Sequence, residues 1–209
     1  MILIGQYDSP FVRRVAVALQ LYGVPCEHRP WSTFGDAEKI APFNPLRRVP
    51  TLVLDDGEVL IESTSILDHL DERAGPEQAL VPAHGAGRRA ALRLCALATG
   101  LCDKMVALVY ERALHATVSE VWVTRCETQI GEVLDALERE RAACPAAFWF
   151  GARPGHADIA VACALRFLKE AHPELQARRD RPHLATHAER CEAMAAFQAV
   201  QQRFIPPRR

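Results

Sequence analysis

The sequence predicts a protein of two parts, an α/β region followed by an all-α region. Two observations indicate this fold class. Residues 1–75 alternate between short apolar stretches typical of strands and amphipathic stretches with helical spacing. Residues 88–209 instead carry long runs rich in Ala, Leu and Glu, which favour helices. Segment 76–87 is interrupted by Gly and Pro, so we predict that it is a linker between two domains.

The α/β region is predicted to have the order β-α-β-α-β-β-α. Apolar residues between Phe11 and Tyr22 recur every three or four positions, which predicts a helix that Gly23 ends. An Asp-Asp-Gly turn at 55–57 separates two strands of a hairpin. The predicted strands are 2–7, 26–29, 51–54 and 58–61, a further helix covers 63–75, and the all-α region has helices at 90–114, 118–141, 158–171 and 182–197.

Composition and charge argue against two classes of partner. The chain has 209 residues, a net charge of −1 and 49% apolar residues, and it contains no run of about 18 apolar residues that could span a membrane. Arg178, Arg179 and Arg181 surround a single Asp, but so short a cluster is usually a solvated loop. We therefore expect neither a membrane nor a nucleic acid as partner.

The cysteines and histidines bear on compartment and metal content. Seven cysteines are scattered without a CxxC pair, which argues against a disulfide framework and predicts a reducing, cytoplasmic location. His183 and His187 have the spacing of a metal-binding pair, but no third ligand accompanies them. We expect no metal.

Ser9 and Pro10 stand directly before the first predicted helix. A serine there can be an N-cap that accepts a hydrogen bond from a helix amide, with proline at the first helical position. The same position suits a thiolate, because a helix N-terminus favours anions and a hydroxyl can donate to sulfur. Lowering a thiol pKa by about two units from about 8.5 needs only about 2.7 kcal/mol. The spacing alone leaves both roles open.

Two further pairs of residues each allow a structural and a binding role. Val49-Pro50 precedes a predicted strand; the proline can be a simple edge residue, or it can be cis and turn the Val49 backbone toward an extended peptide. Glu62-Ser63 opens a helix and can either cap it or recognise a free α-amino acid. In the second case the carboxylate binds an ammonium, while Ser63 and the helix amides bind a carboxylate.

Together, these segments resemble the glutathione transferase family. The Ser-Pro-Phe-Val-Arg-Arg-Val run at 9–15 is similar to the start of the first helix in serine-type members of the family. Asn-Pro-Leu-Arg-Arg-Val-Pro at 44–50 is similar to its N-P-x-G-K-V-P segment, and Ile-Glu-Ser at 61–63 to its E-S-x-x-I motif. The resemblance spans the chain and implies a thioredoxin-like domain before a helical bundle, glutathione as co-substrate and a homodimer.

The resemblance also implies roles for individual residues. Ser9 would be catalytic and stabilise the glutathione thiolate; Tyr7 is a rival, but it lacks the position at a helix start. The residues implied to bind glutathione are Phe11, Arg48, Val49, Pro50, Glu62 and Ser63. An acceptor pocket in the cleft expected between the domains would be lined by Tyr7, Trp31, Phe34, Met105, Val109 and Tyr110.

Two positions depart from the family pattern. Arg47 stands where the family has a glycine, so the loop there is expected to differ. Gly155 stands where the capping box of the second domain has Ser or Thr. Because glycine is an acceptable N-cap, we expect a modest loss of stability and no change of fold, with Asp158 still bonding back to the helix start.

The function implied by the resemblance is transfer of glutathione to a small hydrophobic electrophile. Two alternatives stay open. A glutathione-dependent thiol-disulfide reductase or isomerase would need the sulfur of glutathione, because Ser9 and Val12 occupy the positions where related folds place cysteines. A non-catalytic interaction module of the transcription-regulator type is the other, and retention of the glutathione-binding residues argues against it.

Overall fold

The computed structural model describes residues 1–207, and its first domain is built on a four-stranded sheet. Its elements are β1 (Ile2–Ile4), α1 (Pro10–Tyr22), β2 (Glu27–Arg29), α2 (Ala37–Ile40), β3 (Thr51–Val53), β4 (Val59–Ile61) and α3 (Ser63–Ala74). The strand order is β2-β1-β3-β4; β2 runs parallel to β1, and the other two pairings are antiparallel. The predicted element order is therefore confirmed, although every strand is shorter than predicted.

The local sequence explains where α1 begins and ends. The Ser9 side chain accepts a hydrogen bond from the Val12 amide, and Pro10 occupies the first helical turn, where its missing amide proton is not needed. Gly23 ends the helix with φ of 63°, a left-handed conformation that glycine adopts without steric penalty. The first and last residues of α1 are thus determined by its own sequence.

The second domain consists of helices. They are α4 (Gly85–Leu114), α5 (Glu120–Ala142), α6 (His156–Ala171), α7 (Pro173–Gln176), α8 (Pro182–Glu192) and α9 (Ala195–Gln198). The prediction of one helix over 182–197 is wrong, because the chain leaves helical geometry at Met194, which has ψ of 140°. α4 begins at Gly85, inside the segment predicted as a linker. Within residues 1–207 no helix combines the length and apolarity needed to cross a bilayer.

α6 packs between the two domains and is buried along most of its length. One face of α6 packs in the helical core with Leu101, Met105 and Leu134. Its opposite face, which includes Ile159 and Cys163, packs against α1 in the core of the first domain. The small side chains of the Ala-rich α6 allow this close approach on both sides.

A partly buried hydrogen-bond network also joins the domains. The Asp71 carboxylate on α3 accepts a hydrogen bond from the Tyr22 hydroxyl and, at 3.0 Å, one from the Leu80 amide. His156, the first residue of α6, places its Nε2 3.0 Å from the same carboxylate oxygen. α1, α3, the interdomain segment and α6 are therefore all connected through one side chain.

The contacts at the start of α6 explain why a glycine occupies position 155. The Asp158 carboxylate accepts a hydrogen bond from the Gly155 amide at 2.9 Å, as predicted. A Cβ on Gly155 would lie 2.7 Å from the Leu80 carbonyl oxygen, closer than van der Waals contact permits. The Leu80 backbone thus occupies the space that a Ser or Thr side chain would need, and the modest loss of stability expected from glycine stays a prediction.

Candidate active site

A cleft of about 940 Å³ lies between the two domains. The first domain contributes the residues around the start of α1, the loop after β2 and the loop before β3. The second domain contributes one face of α4, Phe167 of α6 and the chain after α9. The predicted site residues that line it are Ser9, Phe11, Trp31, Phe34, Arg48, Val49, Val109 and Tyr110.

Ser9 caps α1 and also faces the cleft. Its Oγ accepts a hydrogen bond from the Val12 amide at 3.4 Å and also lines the cleft. A hydroxyl has two lone pairs and one proton, so capping the helix leaves the proton free to be donated. The positive end of the α1 dipole lies at the same place. An anion in the cleft beside Ser9 would therefore meet both a donor and a favourable field.

The Val49–Pro50 peptide bond is cis, which is one of the two alternatives that the sequence left open. Val49 lines the cleft, and Pro50 is buried behind it. Within residues 1–207 the backbone amide and carbonyl of Val49 take part in no hydrogen bond. These two groups are the donor and acceptor that an extended peptide would pair with.

Glu62 and Ser63 lie beside the cleft lining, next to Arg48. Arg48 Nη1 is 3.5 Å from Glu62 Oε1, and both side chains are about half exposed. Ser63 is buried and begins α3, whose first turn has no side-chain cap and no acidic residue.

The loop before β3 contains a residue with an unusual backbone conformation. Arg47 has φ of 51°, which lies in the left-handed region that glycine adopts without steric penalty. The arginine thus keeps a backbone geometry that suits the glycine of the family pattern.

The prediction names three α4 residues for the acceptor pocket, and the structure confirms only part of that set. The α4 residues that line the cleft are Asp103, Val106, Ala107, Val109 and Tyr110. Met105 is fully buried in the core of the helical domain and is not among the lining residues. Its assignment to the acceptor pocket is wrong, because its side chain packs against neighbouring helices instead.

Tyr7 is not among the lining residues found within 1–207, although Gln6 and Asp8 on either side of it are. Its ring stacks on His28 with centroids 3.8 Å apart, and His28 in turn places Nε2 2.7 Å from the Gly5 carbonyl oxygen. Burial raises the pKa of the Tyr7 phenol. The structure therefore corrects the expectation that Tyr7 lines the acceptor pocket.

The chain after α9 also contributes to the site, which the sequence does not predict. Phe204 and Ile205 line the cleft, and the Phe204 ring meets the Phe167 ring edge-on at 5.3 Å. The Phe204 amide donates to Glu170 at 2.6 Å, and the Ile205 amide to Asp8 at 3.1 Å. Burial raises the pKa of the Asp8 carboxyl. Because this segment has no helical or strand periodicity, no sequence pattern predicts where it lies.

Phe34 and Tyr110 close the cleft at another edge. One belongs to the loop after β2 and the other to α4, and their rings meet edge-on at 5.3 Å. Together with Phe167 and Phe204, this pair gives the cleft an aromatic wall. Within residues 1–207 there is no group of three His, Cys, Asp or Glu side chains arranged to hold a metal.

Comparison with known proteins identifies the family. The N-terminal domain model of glutathione S-transferases matches residues 3–78, and the C-terminal domain model matches residues 120–190. A glutathione S-transferase from Methylobacterium radiotolerans, solved in complex with glutathione sulfonate, superposes with a TM-score of 0.89 at 30% identity, over 99% of this chain and 98% of that one. The chain belongs to the glutathione S-transferase family.

Two curated relatives show how varied the members of the glutathione S-transferase family are. The uncharacterised GST-like protein YibF of Escherichia coli K12 is 32% identical over 139 residues, covering 66% of this chain and 68% of YibF. Maleylacetoacetate isomerase of Pseudomonas aeruginosa is 32% identical over 174 residues, covering 76% of this chain and 77% of the isomerase. Membership in the family therefore indicates glutathione-dependent chemistry without specifying which reaction it is.

Proposed function

We propose that this protein is a glutathione S-transferase in which Ser9 stabilises the glutathione thiolate for attack on a small apolar electrophile. The observation that carries the proposal is that the Ser9 hydroxyl lines the cleft at the start of α1 and accepts the cap hydrogen bond, which uses a lone pair and not the proton. The thiolate sulfur would form a bond to the electrophilic carbon, and the leaving group would depart with its electron pair. Holding both reactants in one cleft supplies the proximity that such a reaction needs.

The remaining contacts of glutathione follow from the groups around the cleft. The unpaired backbone of Val49 would pair with the cysteinyl residue, and Glu62 with Ser63 would hold the γ-glutamyl ammonium and carboxylate. Arg48 and Phe11, both in the cleft lining, would contact the tripeptide from its other sides. The C–S bond would then form toward the aromatic wall made by Phe34, Tyr110, Phe167 and Phe204.

An isomerase is the second candidate, because maleylacetoacetate isomerase is among the relatives. That substrate class is anionic and would be favoured by cationic side chains in the acceptor half of the cleft. In the described lining the basic residues are Arg47 and Arg48; Arg47 pairs with Glu38 at 2.6 Å, and Arg48 lies beside Glu62. Asp8 and Asp103 add negative charge. Because both arginines lie beside acidic side chains and two further carboxylates line the cleft, we expect a neutral electrophile to be preferred over an anionic one.

A reductase acting through its own cysteine has less support. None of the seven cysteines is among the lining residues found within 1–207. Burial raises the pKa of Cys163 to about 12, so its thiol is unreactive near neutral pH. Any thiol-disulfide chemistry in this cleft would therefore use the sulfur of glutathione.

The cytoplasmic location and the homodimer remain predictions. Sedimentation equilibrium would test whether the protein is a dimer.

Initial rates with glutathione and a chlorodinitrobenzene test the proposed function. We expect Ser9→Ala to lower kcat by about a hundredfold, the usual effect of removing a donor to a developing anion, while the Kd for glutathione changes little. Ser9→Thr, which keeps a hydroxyl, should restore much of kcat. Tyr7→Phe should behave like the wild type. Unchanged turnover in Ser9→Ala would refute the role of Ser9.

Ser119→Ala is the matched control for loss of a helix cap. Ser119 caps α5 by accepting from the Trp122 amide at 3.4 Å, the same geometry as Ser9 on α1, but it does not line the cleft. Both alanine variants should lose about 1 kcal/mol of stability. Only Ser9→Ala should lose turnover.

A further inference from the structure

Two adjacent arginines on α1 are both buried but differ in their partners. Arg13 is 3% exposed and Arg14 is 4% exposed. Arg13 donates to both oxygens of the Glu192 carboxylate, at 2.6 and 2.8 Å. Arg14 has no carboxylate within ion-pair distance among residues 1–207, and its Nε has no hydrogen-bond partner there. One buried charge is therefore neutralised by the protein and the other is not.

The hydrogen bond that Arg14 does make leads to the start of α3. Its Nη1 donates to the Ser63 Oγ at 3.4 Å, and both residues are buried. Ser63 is the first residue of α3, which is 12 residues long and has neither a side-chain cap nor an acidic residue in its first turn. A guanidinium, a hydroxyl and the positive end of a helix dipole thus meet at this point. The acidic N-cap residue, Glu62, pairs with Arg48 and not with Arg14.

Electrostatics predicts that the site formed by Arg14, Ser63 and the start of α3 lacks an anion. A charge removed from water is strongly destabilising unless an opposite charge or several hydrogen bonds compensate it. Burial disfavours the charged form at both arginines, and only at Arg13 does Glu192 outweigh it, so the pKa is raised at Arg13 and lowered at Arg14. An anion at the N-terminus of α3 would compensate Arg14 across the Ser63 hydroxyl.

We propose that Arg14 is a positioning residue that acts through Ser63 to select the carboxylate at the γ-glutamyl end of glutathione. This inference rests on the proposed function, because it takes glutathione as the ligand. Arg14 orients the Ser63 hydroxyl: by donating to Oγ it leaves the hydroxyl proton pointing to the ligand. Its charge adds to the field of α3, so that a negative group is preferred there over a neutral one.

The test compares two ligands and four variants by isothermal titration calorimetry. The ligands are glutathione and an analogue whose γ-glutamyl α-carboxylate is replaced by a neutral carboxamide. Arg14→Met and Arg14→Gln both remove the charge, so a variant that does not fold leaves the other to decide. Arg14→Lys keeps the charge. Arg13→Met is the matched control, removing the adjacent buried arginine that Glu192 already neutralises.

We expect the wild type, Arg14→Lys and Arg13→Met to prefer glutathione over the carboxamide, and the preference to fall about tenfold in Arg14→Met and Arg14→Gln. The carboxamide itself should bind these two variants almost as well as it binds the wild type. An unchanged preference in the folded neutral variants, or an equal loss in Arg13→Met, would overturn the role of Arg14. If the wild type binds neither ligand, the proposed function fails as well.

Discussion

At the start of α1 a single hydroxyl group takes part in the helix and faces the cleft. Ser9 can do both because capping uses a lone pair, whereas stabilising a thiolate uses the proton. The spacing alone leaves both roles open, and the structure shows that the cap does not exclude the proposed catalytic role. Ser119 at the start of α5 has the same cap geometry but no cleft in front of it. The two serines therefore differ in surroundings, because the Ser9 hydroxyl faces the cleft and the Ser119 hydroxyl does not.

A second residue, His187, determines part of the response of this protein to acid. It is fully buried on α8, with its Nε2 3.3 Å from the Asp158 carbonyl oxygen and its ring against Trp149. Burial lowers its pKa from 6.5 to about 4. The unfolded chain therefore takes up a proton at a higher pH than the folded protein does.

The free energy of unfolding should consequently fall as the pH drops through the interval from 6.5 to about 4, by about 3 kcal/mol for this group. Above this interval the contribution of His187 is fully present. Urea denaturation at a series of pH values measures the slope. We expect His187→Gln to have a shallower slope, and His183→Gln, which changes an exposed histidine of the same helix, to keep the wild-type slope. Equal slopes in all three proteins would contradict this account.

At the scale of elements, the α6 cap shows how a neighbouring backbone can override a local preference. Ser and Thr are generally better N-caps than Gly, but the Leu80 carbonyl occupies the space beside Gly155. We expect Gly155→Ala to lower the free energy of unfolding by about 1–3 kcal/mol, because the chain must shift to relieve the contact. Thermal denaturation followed by circular dichroism measures the loss.

Gly131→Ala is the control for this prediction. Gly131 lies within α5, and a Cβ there has no atom within 4 Å outside its own helix. Alanine should therefore stabilise the protein by about 0.5–1 kcal/mol. A stabilised Gly155→Ala variant would show that the Leu80 carbonyl does not constrain the start of α6.

The elements also show how far sequence reasoning reaches. Periodicity and breakers predict β1, α1, the hairpin and α3 because each is specified locally, by alternation, Ser9-Pro10 or Gly23. The residues at the start of α1 and before β3 were found in the same way. Met105 was misplaced because choosing among the faces of an apolar helix such as α4 depends on which neighbours pack on it. The contribution of Phe204 could not be predicted, since only long-range hydrogen bonds place it.

At the scale of the whole molecule, the cleft exists because two domains are held in one orientation. α6 packs against α1, and the Asp71 network joins α3 to His156. The segment after α9 returns to the first domain, where Ile205 donates to Asp8 next to Ser9. In the proposed function the thiolate site belongs to the first domain, whereas much of the acceptor wall belongs to the second. We therefore expect that glutathione activation and electrophile choice can change separately.

The measurement that tests the central claim most directly is a pH titration of bound glutathione, followed by the ultraviolet absorbance of its thiolate. Saturating protein and calorimetry ensure that the glutathione is bound in each sample. In the wild type we expect the thiol pKa to be about two units below the value of about 8.5 for a free thiol. In Ser9→Ala it should return most of the way to that value. A bound thiol with an unshifted pKa in the wild type, or the same shift in both proteins, would contradict the account.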